Sequence, residues 1–172
     1  NLCLVATALD LWRHIESDDR RALRRAALWM GLGLLAKGPV AVVLPAGALL
    51  LWALSSRDAG SLRRALTDPW AWVVLVVVSL PWYLYAWQRH GMAFVDGFLM
   101  RHNVERFTAA IEGHGGHWGY HLLVMPLLWC PWSPLWWQVG AGWRRLWADD
   151  LSRFLLLWAA FVVGFFTLSG TK

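Results

Sequence analysis

A length of 172 residues suits one soluble domain, but the composition excludes that class. The chain is 58% hydrophobic and only 16% charged, against about a quarter charged in a soluble domain. Its net charge of +5 sits in short loops and on no basic helix with interleaved aromatics, which excludes nucleic-acid recognition. Cys3 and Cys130 are too isolated for a disulfide framework or a CxxC metal site.

The pattern predicts an all-α polytopic membrane protein with about five to six transmembrane helices, because apolar runs near the length that crosses hydrocarbon alternate with charged segments. Trp residues favour the ends of these runs, where an indole is half buried and half wet. Three segments are basic: 13–25, 55–69 and 139–153 hold 11 of the 16 Lys and Arg residues. They are expected in the cytoplasm.

That assignment orders the chain. Residues 1–12 are the end of an inward-going helix. Residues 24–54 begin and end at the cytoplasm, so they cross an even number of times. Their break is Lys37-Gly38-Pro39, where proline removes a helix donor. Two short helices are expected, 24–36 and 39–54, each about 20 Å long. A helix over 70–88 runs outward, residues 89–118 form an extracytoplasmic loop, helix 120–138 returns and helix 153–169 runs outward again. Lys37, the loop and Lys172 then share one face.

The loop is dense in titratable groups: five of the six histidines fall within it or at its edges. Residues 92–107 read as an interfacial amphipathic helix. Phe94, Val95, Phe98 and Leu99 make an apolar stripe that leads, in steps of three and four, to His102 and Arg106. Arg106 can grip a phosphate through paired N–H donors. His102 can bind a metal or phosphate or move a proton, or simply sit satisfied at the interface. Glu105 and Arg101 are an i,i+4 surface pair. In Glu112-Gly-His-Gly-Gly-His117, three glycines let backbone approach a ligand. Glu112, His114 and His117 form a weak zinc-like set or a hydrogen-bonding loop. No phosphate-binding glycine loop, HExxH or GxSxG motif occurs.

Six segments, in order, carry a resemblance. They are Leu-Leu-Ala-Lys-Gly-Pro (34–39), Leu-Pro-Trp-Tyr (80–83), Arg-His-Asn-Val-Glu-Arg-Phe (101–107), Glu-Gly-His-Gly-Gly (112–116), Pro-Trp-Ser-Pro (131–134) and Phe-Phe-Thr-Leu-Ser-Gly-Thr-Lys (165–172). Together the chain resembles the GT-C membrane glycosyltransferases, the bacterial relatives of protein O-mannosyltransferases, and within them the lipid A aminoarabinose transferases.

The resemblance implies a transferase that takes a sugar from a polyprenyl-phosphate donor and passes it, with inversion, to a lipid, glycan or protein acceptor. The reaction is expected at the extracytoplasmic face of the bacterial inner membrane. Residues 1–172 are expected to be an internal part of one transmembrane transferase domain. The catalytic carboxylate would lie in a first outer loop upstream, so the piece itself is expected to be inactive. Lys37, Arg106, Lys172, Glu112 and His114 become candidates for the donor phosphate and sugar, and His102 for a divalent metal. His117 stands where the family has proline, which argues against a shared role for it. Pro39 and Arg101 also depart from the aminoarabinose transferases, leaving the sugar open. The rival reading is a transporter or channel whose His-rich outer loop binds metal or protons. It is disfavoured because the helix interiors hold few ionisable residues.

Overall fold

The computed structural model describes residues 1–98, 124–125 and 127–169. The described residues are helical and contain no strand. They form two compact units, Asn1–Asp96 and Gly97–Lys172.

Each boundary in the first unit has a local cause. Helix α1 spans Leu2–Ser17 and stops at Asp18, whose φ of 54° is left-handed. Asp19 then caps α2 (Arg20–Lys37) by accepting from the Arg21 N–H. Gly38 ends α2 with φ 75°, a conformation that suits glycine, and Pro39 opens α3 (Val40–Ser56). The expected pair of helices with a break at Lys37-Gly38-Pro39 is therefore present. Asp58 accepts from the Gly60 and Ser61 N–H groups and starts α4 (Ala59–Thr67). Asp68 accepts from the Ala71 N–H and starts α5 (Pro69–His90), with Pro69 at the position where a missing donor costs nothing.

The α4 helix corrects the expectation of a plain loop over 55–69. Its signal is the capping aspartate followed by Leu62 and Leu66 at helical spacing.

Helix α2 is the centre of this unit. At one end Gly33 meets Cys3 of α1 and Ala41 of α3, and the Tyr83 hydroxyl of α5 donates to the Leu34 carbonyl at 2.9 Å. At the other end Arg25 reaches Asp10 of α1 at 2.9 Å, and Arg24 reaches Asp68 at 3.4 Å. Thus α1 is antiparallel to α2, and α5 runs parallel to it. Trp12 and Trp52 stack edge to face at 5.9 Å, so α3 returns toward the Arg25 end. The arginines of 13–25 and 55–69 consequently gather at one end, and Lys37 stands at the other. The core between the helices is built from small side chains, among them Ala22, Ala26, Ala41 and Ala48, with Leu11, Leu44 and Trp52 filling the gaps. Small residues let helix backbones approach closely.

The second unit contains α6 (Leu135–Ala141), α7 (Trp143–Ala148) and α8 (Asp150–Leu168). Asp149 caps α8 through the Ser152 N–H. The expected continuous helix over 120–138 is not found: residues 129–134 are turns. Pro131 and Pro134 remove two backbone donors there, and a new helix starts after Pro134. Residues 139–153, expected as a loop, are largely helical.

Two described helices, α5 and α8, are long and apolar enough to cross a membrane. Helix α3 is apolar but shorter, at 17 residues. Helix α1 has 16 residues and carries Asp10, Arg13 and Glu16, and α2 carries Arg20, Arg21, Arg24, Arg25 and Lys37, so neither is a candidate span.

Two stability tests follow from this packing. A Cβ on Gly33 would stand 2.7 Å from the Ala41 Cβ, whereas one on Gly31 would stand 3.0 Å from Val78 side-chain atoms. Gly33→Ala should therefore destabilise the protein by about 1–3 kcal/mol, and more than Gly31→Ala. Adding Ala41→Gly should restore most of the loss if the clash is the cause, as thermal unfolding in detergent would read.

Asp68 is buried. Burial pushes its carboxyl up, but the Ala71 N–H and the Arg24 guanidinium outweigh burial and hold it below the usual carboxylate range. A lowered folded value means a contribution present above about pH 4 that fades as pH falls through that value. Asp68→Ala should cost about 1 kcal/mol or more at neutral pH. Asp68→Asn, which keeps the cap and loses the charge, should cost less. The gap between Asp68→Ala and wild type should close in acid; a gap that widens would contradict the assignment.

Candidate functional site

The site begins at the Lys37 end of the first unit. Lys37 is the last residue of α2, and it is exposed. It makes no ion pair with any described residue. It lies at the helix C-terminus, where the backbone carbonyls carry partial negative charge, and no described carboxylate consumes its donors. The ammonium is left able to meet an anion.

Tyr83 fixes this corner. Its phenol donates to the Leu34 carbonyl, which also accepts from the Gly38 N–H at 2.9 Å. The end of α2 is thereby pinned one turn before Lys37.

The same ring holds the start of the loop. After α5 the chain reverses at Gly91, whose φ is 57°. A helical turn over Met92–Phe94 follows, then a wider π-type turn over residues 95–98. The Phe94 ring lies 6.2 Å from Tyr83 and 5.7 Å from Trp82. The first residues of the expected amphipathic helix thus fold back onto the end of α5, beside the α2 terminus that carries Lys37. The apolar stripe of the sequence begins with Phe94, and Phe94 faces this aromatic pair.

The remaining candidates, His102, Arg106, Glu112, His114 and Lys172, lie outside the described residues, as does most of the helix expected over 92–107. The metal expectation at His102 falls there too. Among the described residues, no group of three His, Cys, Asp or Glu side chains comes together. Of the acids in the expected 89–118 loop, Asp96 is described and is exposed.

No local pattern marks Tyr83, although it lies in the Leu-Pro-Trp-Tyr segment. The signal it does carry is general: a tyrosine within an apolar span needs a hydrogen-bond partner when its ring is buried. Asp10 is a second residue that no local pattern marks. That carboxylate is 3% exposed and accepts from Arg25, from Arg13 at 3.1 Å and from the Trp29 indole at 3.2 Å. It sits at the opposite end from Lys37 and serves the fold.

With the geometry in place, comparison with known proteins places the chain. No protein-family model matches it. It is 31% identical over 183 aligned residues to the undecaprenyl phosphate-alpha-4-amino-4-deoxy-L-arabinose arabinosyl transferase of Pseudomonas paraeruginosa, covering all of this chain and 31% of that protein. The enzyme of the same name from Pseudomonas aeruginosa is 30% identical, with the same coverage. That from Erwinia tasmaniensis is 27% identical over 99% of this chain. The chain spans about three tenths of the length of the curated relatives it matches. Among solved structures it superposes on ArnT from Cupriavidus metallidurans, crystallised with undecaprenyl phosphate bound. The TM-score is 0.86 at 22% identity, over 99% of this chain and 31% of that one. The chain therefore has the fold of the matching part of ArnT, and along its whole length it is similar in sequence to the undecaprenyl phosphate aminoarabinose transferases.

Proposed function

We propose that this chain is part of a multi-pass enzyme of the bacterial inner membrane that transfers a sugar from a polyprenyl-phosphate donor to a lipid, glycan or protein acceptor, with inversion and at the extracytoplasmic face. The observation that carries this reading is identity of 30–31% along the whole chain to transferases named for an undecaprenyl-phosphate sugar. Undecaprenyl phosphate is accordingly the donor carrier we assign. Both compact units belong, in this reading, to one transmembrane domain of about five to six spans, with residues 89–118 as its outer loop. The gathering of the arginines of 13–25 and 55–69 at one end of the first unit supports that orientation.

The chemistry assigns work to the cations. In the transfer step the bond from the anomeric carbon to the phosphate oxygen breaks, and the phosphate leaves with the electron pair. The acceptor hydroxyl attacks from the opposite side and gives its proton to a carboxylate that lies outside this chain. Positive groups aimed at the leaving oxygens are worth most in the transition state, where that charge develops. Lys37, Arg106 and Lys172 are the residues we assign to this task, with Glu112 and His114 toward the sugar. Lys37 has the required freedom, being exposed at a helix end that Tyr83 holds in place. His102 is the residue we assign to a divalent metal.

In the full-length protein, Lys37→Ala and Arg106→Ala should each slow sugar transfer roughly a hundredfold, the usual effect of losing one such group. Arg106→Lys should recover only part, because an ammonium lacks paired planar donors. Arg101→Ala should matter less. The assay is transfer from a polyprenyl-phosphate sugar in membranes holding equal amounts of each variant. Turnover like wild type by both alanine variants would sink the phosphate assignment.

Tyr83→Phe keeps the ring against Trp82 and Phe94 and loses only the bond to Leu34. It should lower transfer by about fivefold, the equivalent of one net hydrogen bond of about 1 kcal/mol. Tyr83→Ala should do more damage, since the loop start loses its support. Equal effects of the two would place the contribution in the hydrogen bond alone.

A further inference from the structure

The arginine-rich end of the first unit divides into two sets. Arg13, Arg24, Arg25 and Arg64 are answered within the fold: Asp10 takes Arg13 and Arg25, Asp68 takes Arg24, and Asp18 takes Arg64 at 2.7 Å. Arg20, Arg21, Arg57 and Arg63 are exposed, and their side chains have no ion pair or hydrogen bond among the described residues. The acids of this end are largely consumed. Asp18, Asp19 and Asp68 are in ion pairs, and Asp58 caps α4. Glu16 on α1 is exposed and pairs with none of the four arginines.

Helix α4 shows how the division is made. Its inner face is docked: Ser61 is fully buried, its carbonyl lies 3.4 Å from the ring of the buried His14, and Arg64 turns back to Asp18. At 100° per residue Arg63 falls nearly opposite Ser61, and Leu66 shares the Arg63 face at i,i+3. That outer face carries a free cation beside a leucine that is 58% exposed.

The level of α4 relative to a bilayer is set by α5. The Trp72 indole, in the first turn of α5, donates to the Leu66 carbonyl at 2.8 Å. Trp70 and Trp72 are exposed at the start of a helix long and apolar enough to cross a membrane, the depth at which indoles settle. The end of α4 is therefore at headgroup depth, and its outer face is that of an interfacial helix: apolar toward the acyl chains, basic toward the headgroups.

We infer that the outer face of α4, with Arg63 and Leu66, together with the turn before it that holds Arg57, is a seat for anionic phospholipid headgroups in the leaflet that this end of α5 meets. Charge complementarity chooses the occupant. A zwitterionic headgroup brings its own cation into a patch that already has unpaired ones, whereas an anionic headgroup brings the missing partner. Leu66 gives the same lipid an apolar foothold next to the charge. The seat lies at the opposite end of α2 from Lys37 and does not depend on the transfer reaction.

The test uses the full-length protein in nanodiscs of phosphatidylethanolamine, with and without phosphatidylglycerol. The readouts are phosphatidylglycerol retained in native mass spectrometry and the unfolding midpoint. Phosphatidylglycerol should be retained and should raise the midpoint, and both effects should weaken with salt. Arg57→Gln and Arg63→Gln should each reduce retention about fivefold, with the midpoint in phosphatidylethanolamine unchanged. Leu66→Ser should reduce retention without altering its salt dependence. Retention unaffected by both glutamine variants would overturn the seat. Wild-type retention insensitive to salt would overturn it even if the variants failed to fold. Inorganic phosphate that protected the protein as well as phosphatidylglycerol does would show a free-phosphate site and reject a membrane contact.

Discussion

The buried carboxylate of Asp10 is the constraint on which the first unit depends. An ionised group lodged between helices is costly unless its lone pairs are filled. Here Arg25, Arg13 and the Trp29 indole fill them. Two of these donors come from α2, so satisfying the charge fixes both the register and the antiparallel sense of α1 and α2. A slip of one residue would carry Arg25 and Trp29 off the face that Asp10 needs. Breaking such a pair leaves an unpaired charge behind, so alternatives to this register are excluded more strongly than apolar packing alone would exclude them.

Once that register is set, α2 can serve as the central rod. Its glycines and alanines admit close neighbours on several sides: Gly33 against α3, Gly31 against α5, Ala22 and Ala26 inside the core. Close approach multiplies dispersion contacts, the main attraction left to helices already surrounded by apolar surface. The polar links then sit at the two ends of the rod. Arg24 and Asp68 tie α5 at one end, and Tyr83 ties it at the other.

Much of this was legible in the sequence, for identifiable reasons. The break at Lys37-Gly38-Pro39 follows from proline chemistry and a glycine-suited dihedral, and the charge on both flanks forced the chain to return. The all-helical class followed from the apolar runs. What escaped was structure within the charged segments. Residues 55–69 and 139–153 looked like loops because charge dominates them, yet Asp58 and Asp149 are helix caps. Continuity across Pro131 and Pro134 was assumed because the run is apolar, and apolarity carries no information about missing backbone donors. Of the residues expected in the site, Lys37 is exposed at its turn. Tyr83 was passed over because its role depends on a carbonyl 49 positions away, which no local pattern encodes.

One proline gives α5 a mechanical character. Pro81 stands inside the helix, 9 residues before its end. It cannot supply the N–H that the Val77 carbonyl would ordinarily receive. Bending stiffness therefore drops at that level, below the aromatic cluster rather than within it. The last turns of α5 behave as a short lever. Trp82, Tyr83 and Phe94 ride on it together, because their rings are in mutual contact. Through the bond to Leu34, a tilt of the lever loads the end of α2 as well. The turn that carries Phe94 and the Lys37 turn are thus coupled to one hinge, and displacement of either is felt by the other.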